Sequence, residues 1–163
     1  MSTPPPFHIV LVEPEIPPNT GNIARLCGAT ATILHLVGKL GFSLDDRYLR
    51  RAGLDYWPTV DVRHWERLGD LERAFPAARF WYTSKKAACS YVQAAFSPGD
   101  FLVFGKESAG LPEELLAAHP ERTIRIPIFT EAVRSLNLST AAGIVLYEAL
   151  RQSGRLLDPP RSD

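Results

Sequence analysis

Cysteine is scarce in this chain: Cys27 and Cys89 are the only two among 163 residues, and no CxxC spacing occurs. That excludes a disulfide framework and a zinc knuckle, and a reducing, cytoplasmic setting is expected. No apolar run approaches the length of a membrane span. The opening MSTPPPF has neither the basic segment nor the apolar core of a signal peptide. The four histidines, His8, His35, His64 and His119, form no HxxxH or HExxH pattern, so no metal site is expected. Neither sign of charge is in excess: 18 basic and 18 acidic residues give a formal net charge of zero. A global basic footprint for nucleic acid is therefore missing, and any polyanion site must be local or built from two chains. GxGxxG occurs nowhere, which removes a dinucleotide-binding loop. The segment Gly105–Pro112, GKESAGLP, has the glycine spacing of a P-loop but places Leu111 and Pro112 where Lys and Ser/Thr are required. Ser84, Ser90 and Ser108 lack the context of a nucleophile elbow. The aromatics Tyr56, Trp57, Trp65, Trp81 and Tyr82 do not form an RNA-recognition pattern and are assigned to core and interface.

What is present describes one globular unit. With 45% hydrophobic and 22% charged residues, the chain can bury a real core. Residues 1–6 and 158–163 are expected to be a disordered leader and tail around a single domain, 7–157. Strands are expected at His8–Val12, Ile33–Val37, Thr59–Arg63, Arg79–Thr83, Phe101–Phe104 and Ile124–Ile128. Helices are expected at Ile23–Ala31 (capped by Thr20 or Asn22), Asp45–Ala52, Trp65–Phe75, after Pro112, and from about Thr140 to Arg151. The alternation implies an α/β fold with a mainly parallel sheet covered by helices on both faces.

Polar side chains concentrate in loops between apolar strands and helices, where α/β proteins bind small ligands. Arg134, Ser135, Asn137, Ser139 and Thr140 crowd the approach to the last helix, and Asn137 or Ser139 can cap it. Glu107 is the one acid of the GKESAG loop. The early loop offers Asn19, Thr20, Asn22 and Arg25. An arginine near a helix start opposes the helix dipole, which suggests an anionic partner.

Three stretches together go further: PEIPPNTGNIARLCG (Pro14–Gly28), FGKESAGLP (Phe104–Pro112) and IPIFTEAVRSLNLSTAAGIVLYEALRQ (Ile126–Gln152). In order and spacing they resemble the three motifs of the SPOUT superfamily of RNA 2′-O-methyltransferases. The short length and the stretch RRAGLDYW (Arg50–Trp57) resemble the TrmL (YibK) group, which methylates the wobble nucleotide of tRNA.

The resemblance implies a C-terminal trefoil knot, an obligate homodimer with Tyr147 near its interface, and S-adenosylmethionine as methyl donor without a metal. It implies cofactor contacts from Tyr82, Gly105, Ile126, Ser135 and Leu136. Arg25, Asn19, Glu107, Ser135 and Asn137 correspond to the catalytic motif residues. Arg25, Arg50, Arg51 and Arg134 are the candidate basic rim for a tRNA anticodon stem-loop. The alternatives are a related enzyme acting on rRNA or another tRNA position, and a non-catalytic RNA-binding module. Two departures stand out. Ala109 replaces a residue that is basic in many relatives, and the Thr130–Arg134 loop is one residue longer.

Overall fold

The computed structural model describes residues 4–45, 47, 51 and 54–157. Most of the expected polar helix over Asp45–Ala52, including Arg50, lies outside the described residues. So do residues 1–3 and the tail 158–163.

Seven strands build one sheet: β1 (His8–Val12), β2 (Ile33–Val37), β3 (Val62–Trp65), β4 (Phe80–Thr83), β5 (Cys89–Ser90), β6 (Phe101–Phe104) and β7 (Thr123–Arg125). Their order is β3-β2-β1-β6-β4-β7-β5, and every named pairing is parallel. β1 lies inside the sheet, with Ile9 opposite Leu34 on one side and Leu102 on the other. The helices are α1 (Pro17–Thr30), α2 (Leu68–Ala74), α3 (Glu113–Ala118) and α4 (Leu138–Gln152).

Strand periodicity sorts the core into two layers. Ile9, Leu11, Leu102 and Phe104 pack with Ile23, Ala24 and Cys27 of α1 and with Val145, Leu146 and Ala149 of α4. On the other face Val10, Tyr82, Phe101 and Val103 meet Leu71 of α2 and Leu111. Each fully buried aliphatic contributes roughly 1.5–3 kcal/mol, and covering both faces is what a parallel sheet requires.

Several boundaries differ from the expected ones. α1 begins at Pro17, six residues before Ile23, with Ile16 as its N-cap and no side-chain cap. Prolines at the first two positions carry no N–H, so the turn exposes few free amides and needs neither Thr20 nor Asn22. Thr20 is instead fully buried, its hydroxyl without a hydrogen-bond partner among the described residues. β3 starts at Val62 because Leu54–Thr59, with Pro58 inside it, coils into a 3-10 turn. α2 is shorter than Trp65–Phe75, since Trp65 belongs to the strand and Arg67 is extended. β7 ends at Arg125, before Pro127, and the two-residue β5 adds a strand to the expected six.

His8 and His35 form a buried chain on the α2 face. The Trp65 Nε1–H donates to His35 Nδ1 at 2.9 Å, and His35 Nε2 lies 2.9 Å from His8 Nδ1. An indole can only donate, so His35 carries its proton on Nε2 and passes it toward His8. His8 stacks flat on Phe101, with ring centres 3.9 Å apart.

Candidate active site

The C-terminal ends of β4, β6 and β7 open into a cavity of about 610 Å³, walled by residues 83–86, 104–111, the chain after β7 and the start of α4. Crevices at this edge of a parallel sheet are where α/β folds bind ligands, and the volume suits a cofactor. Phe104, Ile124, Ile126, Leu136 and Leu138 give it apolar surface.

The loop after β6 closes on itself. Gly110 N donates to Lys106 O at 2.8 Å, and Gly110 takes φ +70°. A Cβ on Gly105 would lie 2.1 Å from the Gly110 carbonyl carbon, so only glycine fits there.

A hydrogen-bonded clamp joins three distant segments. Glu107 accepts from the Glu15 amide (2.8 Å), the Ile16 amide (3.2 Å) and Asn19 Nδ2 (3.3 Å). Asn19 Oδ1 in turn accepts from Asn137 Nδ2 at 2.9 Å. Asn137 Oδ1 caps α4 through the amides of Ser139 (2.9 Å) and Thr140 (3.3 Å). Glu15 returns the favour of Glu107, accepting from Ser108 N at 3.0 Å and Ser108 Oγ at 2.6 Å. Those bonds hold the Glu15 carboxyl below its ordinary pKa. With three donors on its two oxygens, Glu107 is placed to position the site rather than to move a proton.

Of the residues singled out in the sequence, Asn19, Gly105, Glu107, Ile126, Arg134, Ser135, Leu136 and Asn137 all line the cavity. Tyr82 does not. Its side chain lies on the α2 face, where its hydroxyl donates to Glu72 Oε2 at 3.1 Å and its ring stacks on His119. Desolvation, with Glu72 beside it, pushes the phenol pKa up. The neighbouring Thr83 reaches the cavity. Arg25 is exposed on α1 and Arg51 is exposed, and neither lines the cavity of its own chain. Tyr147 is 44% exposed on the outer face of α4.

Four participants escaped the sequence reading. Glu15 and Ser108 are joined across 93 positions, which no local pattern reveals. Lys85 and Lys86 line the cavity mouth, and a basic pair just past a strand end was a usable signal. Lys86 pairs with Glu113 at 3.4 Å, whereas Arg134 enters no ion pair among the described residues. An apolar slot floored by the chain turn at Gly105, with acids and cations at its mouth, can hold a flat heteroaromatic ring and an anionic chain beside it.

Known proteins are similar to this chain in sequence and fold. The chain is 48% identical over 147 residues to the tRNA (cytidine(34)-2′-O)-methyltransferase of Methylovorus glucosotrophus (strain SIP3-4), covering 90% of this chain and 95% of the relative. A solved structure described as giving structural insights into the 2-OH methylation of C/U34 on tRNA superposes with a TM-score of 0.86 at 48% identity, over 92% of this chain and 97% of the other. The AdoMet-bound rRNA methyltransferase of Sinorhizobium meliloti superposes at 0.79 with 29% identity, over 91% of this chain and 57% of the other. The sequence profile of the SpoU rRNA Methylase family matches residues 6–147, and the chain belongs to that family.

Proposed function

We propose that this protein transfers a methyl group from S-adenosylmethionine to the ribose 2′-hydroxyl of the wobble pyrimidine in a tRNA anticodon. One observation carries the reading: Asn19, the Gly105–Gly110 loop and Arg134–Asn137, drawn from three separate motifs, converge on one cavity at the strand ends. The substrate is taken from the Methylovorus glucosotrophus relative, a tRNA (cytidine(34)-2′-O)-methyltransferase that aligns with 90% of this chain.

The residues present suit the cofactor. Ile126 and Leu136 would pack its adenine, while main-chain groups at Gly105, Ile126 and Ser135 read the ring edge. Tyr82 would contribute through its backbone alone. Bound there, the cofactor supplies an electrophilic methyl carbon, so the protein's task is alignment and proton handling. The Glu107–Asn19–Asn137 clamp fixes the walls, and Ser135 with Arg134 sits where the ribose and its phosphate would enter.

Arg25 stabilises the developing 2′-oxyanion and grips the adjacent phosphate, which takes the hydroxyl proton. A guanidinium is too basic to serve as the base itself. Since Arg25 lies outside its own chain's cavity, it completes the site of a second copy in a homodimer, with Tyr147 near the shared face. Arg50, Arg51 and Arg134 supply the basic rim. The C-terminal chain is tucked through a loop as a trefoil knot.

Purified protein, labelled S-adenosylmethionine and tRNA lacking wobble methylation test the reading, with nucleoside mass spectrometry locating the product. A 2′-O-methylated pyrimidine at the wobble position is expected, and label found elsewhere would overturn the substrate assignment. Arg25→Lys is expected to lower kcat by about a hundredfold, because an ammonium cannot grip phosphate and oxyanion in a bidentate way. Near-normal turnover would remove Arg25 from the chemistry.

A further inference from the structure

A second depression, of about 490 Å³, lies against the first. Lys85, Lys86, Ile126, Ile128 and Arg134 line both, so they form the wall between them. The chain along this wall, Pro127–Val133, carries Phe129, which is 96% exposed. Phe129 is flanked by Ile128 and Thr130, which line the second depression. A phenyl ring held this far into water gains free energy when a partner covers it. The charges around it are mostly positive. Arg134 has no acidic partner among the described residues, and Lys85 reaches only the Arg134 carbonyl, at 3.5 Å. Arg125 is spent on the Ala87 and Ala88 carbonyls. Lys86 shares its charge with exposed Glu113, and Glu131 lies in the same loop.

An aromatic platform beside unpaired cations is the composition of a single-strand RNA contact, with bases on the ring and phosphates on the cations. We propose that Phe129 stacks on the base of a nucleotide neighbouring the one methylated, while Lys85 and Arg134 hold the connecting phosphates in the second depression. This rests on the proposed reaction site, since the shared wall is what brings the neighbour's base to Phe129 when the target ribose enters the cavity.

The test measures binding and turnover of a labelled anticodon stem-loop by wild type, Phe129→Ala and Phe129→Trp, with RNAs abasic on either side of the wobble position. Phe129→Ala should weaken binding and raise KM by about ten- to a hundredfold, with a smaller change in kcat. Phe129→Trp should restore both. On one of the abasic RNAs wild type and Phe129→Ala should bind alike, because the stacking partner is gone. Wild-type affinity of Phe129→Ala for intact RNA, or a penalty that persists on both abasic RNAs, would overturn the proposal. A loss of oligomeric mass in Phe129→Ala would also overturn it, by showing the ring covered by a second copy. If wild type ignores the stem-loop yet is stabilised by the cofactor, the substrate reading falls separately. The same comparison on a single-stranded pyrimidine oligonucleotide then decides whether Phe129 stacks on bases.

Discussion

One methyl group separates glycine from alanine, and at Gly105 there is no room for it. The added carbon would sit 2.1 Å from the Gly110 carbonyl carbon and 2.2 Å from Leu111 N, both main-chain atoms that cannot swing aside. Gly105→Ala should therefore cost roughly 2–3 kcal/mol of stability and abolish stabilisation by the cofactor. Denaturant unfolding with and without S-adenosylmethionine checks both, and an unchanged midpoint would mean that the loop relaxes freely. The family resemblance implies a cofactor contact at Gly105, and the structure adds a close approach by the chain's own backbone. Residue roles of this kind are only half legible. Glu107 and Asn19 stand out by type and position, but their partners lie 88 to 118 positions away and appear only when the fold assembles them.

Elements were legible where their determinants are local. The cap of α4 is one such case, since Asn137 reaches amides only two and three residues ahead. The start of α1 was not, because its prolines remove the amides that a cap would serve and Glu107 binds the approach from another loop. Asn137 has a second duty that separates two substitutions. Asn137→Ala loses both the cap and the tether to Asn19, and should cost about 1–2 kcal/mol. Asn137→Asp keeps an acceptor at the positive end of the helix and should retain most of the stability. It has no donor for Asn19 Oδ1, however, and Asn19 cannot turn its amide around without losing Glu107. Asn137→Asp should thus unfold near the wild-type temperature while turning over about tenfold more slowly. Wild-type turnover in that variant would show that the tether is dispensable.

Across the whole molecule, strand and helix alternation announced the layered parallel sheet, but not its order. Nothing local tells β6 to insert between β1 and β4, which depends on packing across the whole chain. The global stability also carries a pH signature from the His8–His35 chain. Burial, together with the charges of Arg63 and the paired ring, lowers His35 from 6.5 to about 3. Burial, with Arg63 next, lowers His8 from 6.5 to about 4. Asp61 opposes both shifts. The unfolded chain binds protons below pH 6.5 that the folded chain refuses, so this stability is complete above about 6.5. It falls as the pH drops from about 6.5 toward 4, by up to roughly 2 kcal/mol per ring at pH 5. Urea midpoints at about pH 7.5 and 5 should diverge accordingly. In spectra of the folded protein these two ring resonances should stay neutral down to about pH 5, and titration near 6.5 would refute the assignment.

The placement of β1 between β2 and β6 has a consequence during biosynthesis. β1 and β2 leave the ribosome close together, but the first residue of β6 follows that of β1 by 93 positions. At about 5–20 residues per second, one edge of β1 waits about 5 to 20 s for its partner. Throughout that time HIVLV presents an unpaired apolar strand edge, the kind of surface that recruits other nascent chains. Holding factors should thus engage this protein early in translation, through its first strand, and release it once Phe101–Phe104 has emerged.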